Sequence, residues 1–144
     1  MPIGDTLLFM HQLWELNHAM QVRSKRMART LGVTSPQRLV IRLVGQNPNI
    51  TARDLATTLG IHPSTLTGVL ARLEKMKMIA RAIDPEDRRR ARFALTEAGK
   101  QIDRTKKGTV EEAVRRALDR ADEATRAKSS VLLSLLVDEL TQTS

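Results

Sequence analysis

Apolar residues at Ile3, Leu7, Met10 and Trp14, continued by His18, recur at spacings of three and four, and Leu13, Leu16 and Met20 widen the stripe. That is the period of an amphipathic helix over about 3–29, with no Pro or Gly inside it after Gly4. Such a helix is roughly 40 Å long at 1.5 Å per residue, more than one small domain covers, so a partner is expected. Leu31 to Gln37 (LGVTSPQ) interrupts the pattern: Gly32 terminates, Ser35 is placed to N-cap, and Pro36 suits the first helical position. The next helix spans about 36–46, with Leu39, Val40, Leu43 and Val44 facing inward. Thr51 opens a short helix, with Asp54 three residues on as in a capping box. Leu55 and Leu59 point to its core, and Gly60 is placed to end it. Pro63 then starts a helix with the stripe Leu66, Val69, Leu70, Leu73 and Met76.

The period next changes to two. Ile79 and Ile83 alternate with Ala80 and Ala82, and Phe93 and Leu95 with Arg92 and Ala94, which predicts strands over 79–83 and 92–96. DPEDRRRA joins them as a hairpin loop. Thr96 is expected to cap a long helix reaching Asp119 or beyond. A last helix, about 122–140, carries Val131, Leu132, Leu135, Leu136 and Leu140. The fold class is therefore mainly α with a small β-hairpin (α+β). The expected organisation is a winged helix-turn-helix over 31–99, flanked by a helical dimerisation region formed from 1–30 and 100–144.

The two short helices are separated only by Leu59-Gly60-Ile61-His62, which is helix-turn-helix spacing with Gly in the turn. Pro63, Ser64, Thr65, Thr67, Gly68 and Arg72 lie off the buried stripe of the second. A helix of this kind can enter a major groove with its N-terminal residues against base edges. Arg72 has two readings, a phosphate contact or a pairing with an acid on its own helix. The hairpin that follows carries Arg88, Arg89 and Arg90 at its tip, and an arginine on a narrow projection can reach a minor groove. Ser35 and Arg38 open a helix whose N-terminal amides could hold a phosphate. Thr51 and Arg53, at the start of the next, join them as candidate phosphate contacts.

Charge sharpens this reading. The 144 residues carry a formal charge of +8 and a pI near 10.8, which points to an anionic partner, nucleic acid first. No acidic residue lies between Glu15 and Asp54, while Arg23, Lys25, Arg26, Arg29, Arg38, Arg42 and Arg53 do. From Gln101 to Lys128 the two signs are interleaved, as on an ordinary helical surface. With no cysteine, the chain has no disulfide and no thiol switch. No apolar run approaches a membrane span and the N-terminus lacks a basic leader, so a cytoplasmic protein without a membrane partner is expected. No nucleophile–base–acid set, metal-ligand cluster or Gly-rich phosphate loop is present. The expectation is no enzyme, no metal and no cofactor. A competing class is a nonspecific nucleoid- or RNA-associated basic protein. RNA readers stack bases on aromatics, and here there are two Phe, one Trp and no Tyr.

DPEDRRRARFALTEAG resembles the wing of the MarR family of bacterial transcription regulators, with its Asp-x-Arg, then Leu-Thr and Gly, at Asp87, Arg89, Leu95, Thr96 and Gly99. HPSTLTGVLARLEKMKMI resembles that family's recognition helix, and the order of elements agrees along the whole chain. The resemblance implies a homodimer with intertwined first and last helices, bound to a pseudopalindromic operator in double-stranded DNA. The function it implies is a sequence-specific, ligand-responsive regulator, most often a repressor. It also implies that Asp87 orients an arginine and that Arg89 enters the minor groove. The family's small, often phenolic or aromatic ligands would be met here by Trp14, His18 and Arg42. Packing against a dimer partner is the other reading of Trp14 and His18. Two positions depart from the family pattern: Gly68 stands where a basic residue is common, and Lys77 where a turn glycine is common. In left-handed geometry Lys77 would cost on the order of 1 kcal/mol.

Overall fold

The computed structural model describes residues 4–142; Ile3, the first position of the N-terminal stripe, lies outside them. The chain divides into two compact units, Met1–Thr109 and Val110–Ser144. The first holds α1 (Asp5–Thr30), α2 (Ser35–Gln46), β1 (Ile50–Thr51), α3 (Ala52–Leu59), α4 (Pro63–Lys75), β2 (Ile79–Ile83), β3 (Ala91–Leu95) and α5 (Glu97–Arg104). The second holds α6 (Val110–Arg120) and α7 (Glu123–Thr141).

The core of the first unit is aliphatic. Val40, Ile41 and Val44 of α2, Leu55 of α3 and Leu66, Leu70 and Leu73 of α4 pack with Ile79, Phe93 and Ile102. Leu39, expected to face inward, is instead half exposed, and Ile41 is the buried residue. At 100° per residue the stripe through 40, 41 and 44 leaves 39 on its outer flank. The hairpin is part of a three-stranded antiparallel sheet of order β1-β3-β2. The two-residue β1 pairs Ile50 with Phe93 and Thr51 with Arg92; a strand this short leaves no period to read. Arg81 lies opposite Phe93, with its guanidinium 5.5 Å from the ring centroid, and pairs with Glu74 at 3.0 Å.

Local signals set most of the boundaries. The cap of α2 is Thr34 rather than Ser35: its hydroxyl accepts from the Gln37 amide while the Gln37 side chain accepts from the Thr34 amide. Thr51 caps α3 and Gly60 ends it at φ +64°. The expected single helix from Thr96 is broken. α5 stops at Arg104, Gly108 turns at φ +82°, and the Thr109 hydroxyl donates to the Lys106 carbonyl. Lys77 does adopt φ +60°. Its strain of about 1–2 kcal/mol is offset by bonds that close the turn: Lys77 N to Glu74 O (2.9 Å) and Met78 N to Leu73 O (3.0 Å), and Thr96 Oγ1 to Lys77 O (2.7 Å).

Candidate nucleic-acid interface

Helix α4 presents one face to the core and the other outward. Leu66, Leu70 and Leu73 are buried, while Pro63, Ser64, Thr65, Thr67, Gly68 and Arg72 are all exposed. His62 caps the helix through its ring: Nδ1 accepts from the Ser64 amide at 3.2 Å and lies 2.7 Å from the Ser64 hydroxyl. Thr67 donates to the Pro63 carbonyl. Both hydroxyls are thus oriented by their own helix, with lone pairs left over. The only acid on α4, Glu74, is paired with Arg81, which disfavours the own-helix reading of Arg72. A Cβ built at Gly68 meets nothing within 4 Å. No packing demand therefore explains glycine there, and Gly68→Ala is expected to raise stability by roughly 0.5–1 kcal/mol in a urea titration.

The wing tip is organised by Asp87. Its Oδ1 accepts from the Arg89 amide at 3.0 Å and from Arg89 Nε at 3.2 Å, and its Oδ2 lies 3.8 Å from Arg90 Nε. The carboxylate both forms the turn and holds the arginines, while the Arg89 side chain stays 91% exposed. A cleft of about 450 Å³ is lined by Thr51, Ala52, Arg53 and Asp54 of β1 and α3 and by Arg89, Arg90 and Ala91 of the wing. The fold therefore brings Thr51 and Arg53 beside two of the tip arginines, although Arg53 and Arg89 are 36 positions apart in sequence. Thr51 is itself nearly buried, its hydroxyl accepting from the Asp54 amide.

Three expected residues are placed otherwise. Arg38 is only 3% exposed and donates to the Thr105 carbonyl at 2.8 Å, so it braces the end of α5 and does not face a phosphate. The start of α2 is closed as well. The Ser35 amide is bound by the Ser24 hydroxyl, the Gln37 amide by Thr34 Oγ1, and the Arg38 amide by the Thr34 carbonyl, and Pro36 has no N–H. Arg42, expected to meet a ligand carboxylate, meets one from its own chain, Asp103, at 2.8 Å. Trp14 and His18 remain exposed on α1. A basic span in sequence is thus partly an internal framework in space, a distinction that charge counting alone does not make.

Three residues escaped the sequence reading. Asp84, at the foot of the wing, is 3% exposed and pairs with Arg92 at 3.1 Å, and Arg92 also donates to the Asn49 carbonyl. Asn49 is 43 positions from Arg92, beyond any local pattern. A faint signal was available in the Asn at position 49, one of the few residue types that adopt positive φ readily, and Asn49 indeed has φ +68°.

Residues 33–91, from the end of the α1–α2 connection to the start of β3, match the model of the MarR family. This segment is a MarR-type domain. Among curated relatives of the chain is the HTH-type transcriptional regulator FarR of Neisseria gonorrhoeae. It is 28% identical over 128 residues, covering 89% of this chain and 85% of FarR. In fold the chain is similar to MepR of S. aureus solved as a DNA complex (TM-score 0.76, 20% identity, 97% of this chain and 100% of that one). It is also similar to the PcaV transcriptional regulator of Streptomyces coelicolor in complex with its natural ligand (TM-score 0.77, 23% identity, 96% and 98%). No helix among the described residues is long and apolar enough to cross a membrane.

Proposed function

We propose that the protein is a homodimeric transcriptional regulator that binds a pseudopalindromic operator in double-stranded DNA and acts as a ligand-responsive repressor. The observation that carries this reading is the outward face of α4, set in one domain with a wing whose arginines are oriented by Asp87. Ser64, Thr65 and Thr67, with the open backbone at Gly68, face base edges in the major groove, Arg72 faces phosphate, and Arg88–Arg90 track the minor groove. Arg53, beside Arg89 and Arg90 in the shared cleft, contacts the intervening backbone. The regulator names among curated relatives and the DNA complex in the same fold support it.

The dimer reading rests on uncovered apolar surface. On α1, Leu7, Met10, Trp14 and Leu16 are about half exposed or more, and on α7 so are Val131, Leu133, Leu135, Val137 and Leu140. No residue of α7 is buried, yet its apolar residues surround it, which in water calls for a covering partner. Helices within 1–30 and 100–144 supply that cover in a second copy. Ligand response operates by population shift: a small aromatic or phenolic ligand that prefers a dimer with misplaced recognition helices lowers operator affinity by its differential affinity. Two half-sites read by one dimer lie about one helical turn, ~34 Å, apart.

The test is fluorescence anisotropy with DNA from upstream of the gene, against scrambled duplex and duplex RNA, over a salt series. A preference of roughly 10³ or more for the upstream DNA with a steep salt slope is expected. Equal affinity for all three would identify the nonspecific binder instead. In the same assay Arg89→Ala should weaken binding about 5- to 150-fold and reduce the salt slope by about 1. Its melting temperature should stay put, because the side chain is exposed.

A further inference from the structure

The wing is joined to the helix-turn-helix by more than its two strands. Asp84 follows the last residue of β2, and its amide donates to the Arg90 carbonyl at 3.0 Å, closing the loop that bears the arginines. Its Oδ1 accepts from the Glu86 amide at 3.0 Å, and its Oδ2 lies 3.1 Å from Arg92 Nη2. The other terminal nitrogen, Arg92 Nη1, donates to the Asn49 carbonyl at 3.0 Å. Asn49 in turn donates its amide to Phe93 O at 3.0 Å and precedes β1, whose Thr51 caps α3. One guanidinium thus links the foot of the wing to the residue from which the helix-turn-helix begins.

Stability alone is a weak reason for this arrangement. Only Asp84 of the pair is buried, the Arg92 side chain being 37% exposed, and an ion pair with one partner taken out of water is often no better for folding than apolar residues of the same volume. What it does provide is direction, because a planar guanidinium fixes two acceptors in a rigid fork. A two-stranded projection held only at its base can tilt, and each tilt moves the tip arginines relative to α3. The Glu86 amide, with Arg92 aiding and burial opposing, holds the Asp84 carboxyl below its ordinary value of 3.8, so the pair is charged throughout the neutral range.

We propose that Asp84 and Arg92 are positioning residues that hold the wing tip at the angle to α3 at which both engage one DNA segment. The inference rests on the DNA-binding reading above and adds a determinant outside the contact surface. Fixing the angle beforehand removes an ordering cost from binding.

The decisive experiment compares the wild-type chain with Asp84→Asn, Arg92→Lys, Arg89→Ala and Asp84→Asn/Arg89→Ala. Each is titrated with the upstream operator over a salt series, with thermal unfolding alongside. Asp84→Asn keeps an oxygen for the Glu86 amide and removes the charge; Arg92→Lys keeps the charge and removes the fork. Both are expected to remain folded at the assay temperature. Both should weaken operator binding roughly tenfold and lower the log–log salt slope by about 1–2, because misplaced arginines release fewer counterions. Arg89→Ala should then cost little more in the Asp84→Asn background. A loss of affinity equal at every salt concentration, with an unchanged slope and full additivity, would make the pair merely structural and overturn the proposal. So would unfolding of both variants, or wild-type binding in both. Arg89→Ala without effect in the wild-type background would instead strike the wing reading itself, and the inference with it.

Discussion

Leu135→Asp is expected to convert the protein to monomers and to lower operator affinity by about two orders of magnitude or more. The size of the effect follows from where Leu135 sits. In the single chain it is 56% exposed, so an aspartate there alters little in that chain beyond the helix propensity of one position, about 0.5 kcal/mol. A larger effect can arise only through a partner. At an interface between two α7 helices the carboxylate would be buried twice, once from each copy and near its own counterpart. Each buried, unpaired charge costs several kcal/mol. Loss of the dimer also separates the two winged domains, and with them the effective concentration that makes the second half-site contact intramolecular, worth 10²–10⁴ in affinity. Light scattering after size exclusion reads the outcome as a change from twice the chain mass to the 16.1 kDa of one chain. A persistent dimer would remove α7 from the interface.

The second large effect is Gly99→Ala, a one-carbon change in the Leu-Thr-x-x-Gly segment. Thr96 caps α5 by accepting from the Gly99 amide at 3.1 Å, and its hydroxyl donates to the carbonyl of Lys77. Gly99 itself rests against the Met78 carbonyl, where a Cβ would collide with backbone and crowd the Leu95 side chain. A flexible side chain could move aside; a carbonyl in the left-handed turn after α4 cannot without opening that turn. The expected loss is about 3 kcal/mol, a fall in melting temperature of roughly 10 °C or more. Gly68→Ala is the internal control. It makes the same chemical change in a helix with open space around it, and it should act in the opposite direction. A Gly99→Ala protein as stable as the wild type would show that α5 does not seat on the α4–β2 turn as described.

This pair of glycines bears on what a motif means. Leu95, Thr96 and Gly99 belong to the segment that resembles the family wing, yet their contacts hold α5 to the turn that launches the wing. The tip alone, Asp87 to Arg90, is free of the core. The same segment is therefore part framework and part contact surface.

Much was legible in the chain because it is local. Helix period, strand alternation, the caps at Thr51 and Thr96, the stop at Gly60 and the start at Pro63 depend on residues within one or two turns. Each appeared within a residue or so of its place. The misplacements were also local ambiguities. Thr34 and Ser35 are both good caps, and a single glycine in Thr-Lys-Lys-Gly-Thr does not announce whether a helix tolerates it or breaks. Fold class, the outward polar face of α4 and the basic tip of the hairpin thus came from sequence period and charge.

Tertiary structure decided which charges remain available. Arg38, Arg42 and Arg53 look alike in the chain, but the fold buries the first against the Thr105 carbonyl, pairs the second with Asp103 and leaves the third beside the wing. It also created the Asp84–Arg92–Asn49 link and the short strand β1 beside it. The reason is range. Burial, a carbonyl acceptor and a paired carboxylate are supplied by residues 8 to 67 positions away, and no periodicity carries that information. The chain itself determined which helices and strands form and which faces are apolar; only their packing determined which arginines hold the protein together and which face outward.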